Sequence, residues 1–96
     1  MLPEELEIID EMVDKFVSRC FVEIDRDLAT EIFHKVIPRR ISGNMTQADV
    51  IAQSSLFSTT CGVDFSIIES FDCFTHFAYL KIMALRESKS NTLSKE

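Results

Sequence analysis

Residues 65–87 read FSIIESFDCFTHFAYLKIMALRE, and this stretch decides the fold. Within it Ile67, Phe71, Phe74, Ala78, Ile82 and Leu85 follow one another at spacings of four, three, four, four and three. That is the period of one face of an α-helix, not the alternation of a strand. Asp64 or Ser66 supplies a side-chain oxygen to cap its start. The spacing predicts a helix over about 65–87. The other side of the same helical wheel carries Phe65, Tyr79, Leu80 and Met83, interrupted by Glu69, Asp72 and His76. A helix apolar on two sides is either central in a bundle or packed on another chain. Three short companions cannot surround it, so these four residues are the candidate interface of a homo-oligomer, expected to be a homodimer. The competing reading is of scattered surface apolar side chains, which are common.

Working back toward the N-terminus, Thr46 with Asp49 three residues on reads as a capping box. Ala48, Ile51, Ala52 and Leu56 continue it as a short helix over about 46–57. Ser42, Gly43 and Asn44 read as a connector. Before them, Leu28, Ala29, Ile32, Phe33 and Val36 form a helical stripe, predicted over 26–37 and capped by Asp25 or Asp27. Pro38 is expected to end it, because proline disfavours helical geometry in the residue before it. Pro3, Glu4 and Glu5 make a helix start, and Leu6, Ile9, Val13, Phe16, Cys20 and Ile24 carry the stripe of a first helix over about 4–22. This stripe and that of the second helix point to opposite sides of a wheel, so the chain must break near Val22–Asp27. The fold class expected is all-α, a small four-helix bundle-like domain over 1–87, with a flexible polar tail at 88–96.

The chain has 96 residues, 46% of them apolar, which suits one domain with one modest core. Two Gly and two Pro are too few for the turns of a sandwich or barrel. The net charge is −6, and residues 44–80 hold four acids and no Lys or Arg. Nucleic acid and anionic membrane are therefore not expected partners, since both are bound through basic side chains. No apolar run is long enough to cross a membrane. The acidic N-terminus lacks the basic-then-apolar layout of a signal peptide. Cysteines number three, so at least one thiol is free in any disulfide scheme. Together these features lead to an expectation of a cytoplasmic protein whose cysteines serve as small apolar side chains.

Thr46-Gln47-Ala48-Asp49-Val50 resembles the opening of a helix-turn-helix repressor domain. There a Thr-Gln pair opens the first helix and a Gly starts the turn eight residues after the Gln. Here Ser55 stands at that position and Gly62 comes later. The resemblance implies a DNA-binding regulator, but a recognition helix near 56–66 would meet phosphates without one basic residue.

Cys73 and His76 have the i, i+3 spacing of metal ligands, with Cys61, Cys20 or His34 to complete a set. No Cys-x-x-Cys pair accompanies them, and no metal or cofactor is expected. Glu69, Asp72 and His76 resemble half of a di-iron bundle site, but no matching half stands on another helix. Cys61 before Gly62 is a possible nucleophile with His34 or His76 as base. No Gly-rich phosphate loop or hydrolase motif is present, and no enzyme activity is expected.

Lys35, Arg39 and Arg40 are the one basic cluster outside the tail. Their plain role is to offset the negative end of a helix. Their sharper role is a candidate site for an anion or an acidic partner, helped by Ser and Thr donors from 54–60. The acids Glu4, Glu5, Glu7, Asp10, Glu11 and Asp14 form a solvated face, or pair with that basic cluster. The function expected is a small acidic interaction module, an adaptor or inhibitor that occupies a protein partner's surface. The alternatives are a helical binder of a small anionic ligand and a DNA-binding regulator.

Overall fold

The computed structural model describes residues 1–20, 23–57 and 65–94, the last four of these as backbone only. Helix α1 spans Pro3–Arg19, α2 Arg26–Ile41, α3 Gln47–Ser54 and α4 Phe65–Ser94, and a 3-10 turn over Ser55–Phe57 follows α3. There is no strand among the described residues, and the fold is a small all-α bundle. Helices α1, α2 and α4 pack on one another, and α3 lies against α4. Ile9, Met12, Val13 and Phe16 of α1, Ala29, Ile32, Phe33, Val36 and Ile37 of α2, and Ile67, Phe71, Phe74, Ala78 and Ile82 of α4 fill the core. Each set recurs at three and four residues, the spacing that puts one helix face inward.

The caps explain most of the boundaries. Asp25 caps α2, accepting hydrogen bonds from the N–H groups of Asp27 (3.0 Å) and Leu28 (3.3 Å). Thr46 and Asp49 form the expected box at α3: Thr46 Oγ1 accepts from the Asp49 N–H (3.2 Å) and Asp49 Oδ2 from the Thr46 N–H (3.0 Å). Thr46→Ala removes the first of these bonds. It should cost about 1 kcal/mol and lower the thermal midpoint by roughly 4–8 °C, read by circular dichroism.

Four boundaries differ from the sequence expectation. Helix α1 ends at Arg19 rather than in the low twenties, with Cys20 already extended. Helix α2 does not stop before Pro38 but runs on to Ile41. Proline forgoes there the hydrogen bond that an N–H would give the His34 carbonyl, and the helix then closes in a Schellman end that satisfies two later carbonyls. The Asn44 N–H donates to the Arg39 carbonyl (2.8 Å) and the Gly43 N–H to the Arg40 carbonyl (3.2 Å). Gly43 has φ +77°, a left-handed conformation that glycine adopts without strain. Helix α3 tightens into the 3-10 turn at Ser55, where the Ser54 and Ser55 hydroxyls donate back to the carbonyls of Ile51 (3.0 Å) and Ala52 (2.7 Å). Helix α4 continues past Glu87 to Ser94, so residues 88–94, read as tail, are its last turns. Lys89, in these turns, pairs with Glu4 of α1 (3.4 Å).

Candidate functional site

The basic cluster is built into the fold's own seams. Arg39 Nη2 donates to Asp49 Oδ2 (3.0 Å) and to the Asn44 carbonyl (3.2 Å), tying the end of α2 to the start of α3. The Thr46 backbone N–H, its hydroxyl and the Arg39 guanidinium hold the Asp49 carboxyl below the usual range. Arg40 pairs with Asp72 of α4, and its Nε donates to the hydroxyl of buried Thr75 (3.0 Å). That hydroxyl in turn donates to the Phe71 carbonyl (2.7 Å). Both guanidinium groups are thus matched by carboxylates of the same chain, and Lys35 stands exposed a turn earlier. The arrangement clamps three helices together. The helix extension past Pro38 is what brings Arg39 and Arg40 to their partners.

The acid run of α1 does not meet this cluster. Because α1 and α4 run antiparallel, Glu4, Glu5 and Glu11 face Lys89, Arg86 and Lys81 instead. Asp14 pairs with Arg26, and Asp10 lies 3.9 Å from His34 Nε2. Glu5 is the exception among these acids, being only 1% exposed. It accepts from Arg86 Nε (2.6 Å) and Nη2 (3.3 Å) and from the Leu2 N–H (3.1 Å).

The metal-like spacings lead to no cluster. Among the described residues no three His, Cys, Asp or Glu side chains converge as a metal site requires. Asp72 is engaged by Arg40, and the His76 ring lies beside that of Tyr79, centroids 6.0 Å apart. Cys61, Gly62 and Asp64 lie outside the described residues, as do Ser58, Thr59 and Thr60. Among the described residues, no helix is long and apolar enough to cross a membrane.

The outward side of α4 is what remains. Of the four candidate interface residues, Phe65 is 74% exposed, Leu80 46% and Met83 38%, while Tyr79 is half-buried on the shoulder. Phe65 stands about 21 Å along the axis from Tyr79, the nearest of the other three, since each residue adds about 1.5 Å. The sequence reading missed Phe77, which is 45% exposed and braced edge-on by buried Phe74, ring centroids 6.3 Å apart. Cys73, Phe77, Leu80 and Ala84 are all exposed and recur at spacings of four, three and four. That second stripe was the signal available for Phe77. Met83 and His76 flank it on one side. The result is a ridge of apolar side chains over about three helical turns, opposite the core face. No family model, no curated protein and no solved structure matches the chain.

Proposed function

We propose that this protein is a small acidic interaction module that acts by covering a protein partner's surface with the outward face of α4. One observation carries the reading. Phe77, Leu80 and Met83 are exposed together on a helix whose opposite face already fills the core. Contiguous exposed apolar side chains of this kind mark interaction surfaces. In this reading the chain is an adaptor or inhibitor of the cytoplasm. It performs no catalysis, needs no cofactor and does not bind nucleic acid. The net charge of −6 and the pairing of Arg39 and Arg40 within the chain support the last point.

A second copy of the chain is one partner the face accepts. Covering roughly 300 Å² of apolar surface is worth about 7 kcal/mol, against an association cost of about 4–15 kcal/mol, which makes a homodimer weak. Sedimentation over a wide concentration range should show the mass rise from 11.0 kDa toward twice that value. Leu80→Glu with Met83→Glu puts two charges on the ridge without touching the core. This variant should keep the wild-type helical spectrum and stay monomeric. In a pull-down from host lysate it should lose proteins that the wild type retains. Identical capture by the two proteins would show that the α4 face is not the working surface.

A further inference from the structure

We infer that the preferred occupant of this face is an amphipathic helix whose apolar stripe is flanked by Lys or Arg near both ends. The inference rests on the proposed docking role of α4 and names the chemistry of the partner. Glu69 and Glu87 are both exposed. They are eighteen residues apart, five full turns at about 100° per residue, so they project along the same line. That line runs beside the ridge of Cys73, Phe77, Leu80 and Ala84, with His76 and Met83 between the two acids. The ridge therefore has an apolar middle and a carboxylate at each end, roughly 27 Å apart. Lys81, on the other flank, is drawn to Glu11 of α1 (3.6 Å).

The charge pattern ranks the possible occupants. When two copies pair antiparallel about a two-fold axis, like flanks meet. Glu69 of one copy then falls beside Glu87 of the other, at both ends of the contact. Whatever the pairing direction, each copy also brings a net charge of −6. A second copy satisfies the apolar middle and is repelled by the rest. A helix of about 20 residues with basic side chains five turns apart satisfies both. Its apolar side chains cover Phe77, Leu80 and Met83 while its cations reach Glu69 and Glu87. Salt separates the two cases. Screening weakens the basic helix and strengthens the homodimer.

The test uses the full chain and two synthetic helical peptides with one shared leucine stripe, flanked by Lys in one and Glu in the other. Titration calorimetry should show the Lys-flanked peptide binding at least roughly tenfold more tightly, with affinity falling as salt rises. Glu69→Lys with Glu87→Lys should reverse the preference between the peptides. Glu7→Lys with Glu31→Lys makes the same change in net charge on other exposed positions and should leave the preference in place. If both charge variants shift the preference equally, or neither does, the flank assignment is overturned. The Leu80→Glu, Met83→Glu protein tests the docking reading separately. Loss of both peptides in that protein keeps the face while the charge variants judge the flank. Retained binding there overturns the face itself, and binding of neither peptide by the wild type overturns the inference.

Discussion

Arg86→Met should lower the thermal midpoint at neutral pH by roughly 10–20 °C, and the deficit should close as the solution is acidified. The cause is the setting of Glu5. Its side chain is 1% exposed, whereas that of Arg86 is 43% exposed. In the wild type the Arg86 hydrogen bond, assisted by the Leu2 N–H and the positive charge, holds the Glu5 carboxyl below its ordinary 4.5 against the opposing effect of burial. A carboxylate whose folded value is depressed stabilises the fold above its unfolded value. That contribution is lost as pH falls through the folded one. Methionine keeps much of the arginine stem's packing but removes the cation. The carboxylate is then buried with one N–H and no guanidinium, so its pKa rises toward the unfolded value and the stabilisation the wild type has at neutral pH is missing. Stripping the partner from a buried charge costs about 3–5 kcal/mol, and the exposure of Arg86 puts this pair nearer 2–3. At about 4–8 °C per kcal/mol the shift follows.

Below pH 4 Glu5 is increasingly neutral in the variant, folded or unfolded, while the wild type is losing its own advantage. The two melting curves should therefore approach each other. Adding Glu5→Gln to Arg86→Met should recover part of the loss at neutral pH, because no buried charge remains. Lys89→Met, whose partner Glu4 is exposed, should melt close to wild type. An Arg86→Met deficit that is equally large at pH 3 and pH 7 would assign the effect to packing instead of charge.

Glu5 also shows where sequence reading reaches its limit. Its place as an acid in the first turn is legible from Pro3, Glu4 and Glu5 alone. Its burial is not, because the residue that makes burial tolerable lies 81 positions away on α4. The same division runs through the molecule. Stripes at three and four residues, the Asp25 cap and the Thr46–Asp49 box are local, and they place all four helices. The continuation of α2 through Pro38 depends on a Schellman end at Gly43 and on carboxylates from α3 and α4. The last turns of α4 carry Lys89, whose partner Glu4 stands in a different helix. On the outer face, a helical wheel gives the direction of Tyr79 and Phe77 but not the edge of the core. That edge is set by how α1, α2 and α3 wrap α4, and it falls so that Tyr79 is half-covered and Phe77 is not.

Phe71→Ala should produce the largest loss of any single change in the core, about 4 kcal/mol. Phe71 is fully buried, and its ring stands within 6.0 Å of Phe16, 5.5 Å of Phe33 and 5.7 Å of Phe57, centroid to centroid. Phe16 in turn lies 5.4 Å from Phe33 and 5.1 Å from Phe57. One ring comes from each of α1, α2 and α4, and one from the turn after α3. Removing the α4 ring opens a cavity where all these elements meet, and none can close it without leaving the others. A buried Phe→Ala change costs about 3–5 kcal/mol, the upper part applying where neighbours cannot collapse into the space. A chain of this size has roughly 5–14 kcal/mol of stability in total. The variant should therefore sit close to its unfolding threshold, with the urea midpoint much reduced and the slope of the transition unchanged. Phe71→Leu, which refills most of the volume, should recover more than half of the loss. Phe77→Ala supplies the contrast from the same helix. That ring is exposed, so its removal should leave the urea midpoint nearly as it was. A Phe71→Ala protein that loses less than about 1 kcal/mol would mean that the four rings do not form the junction of the bundle.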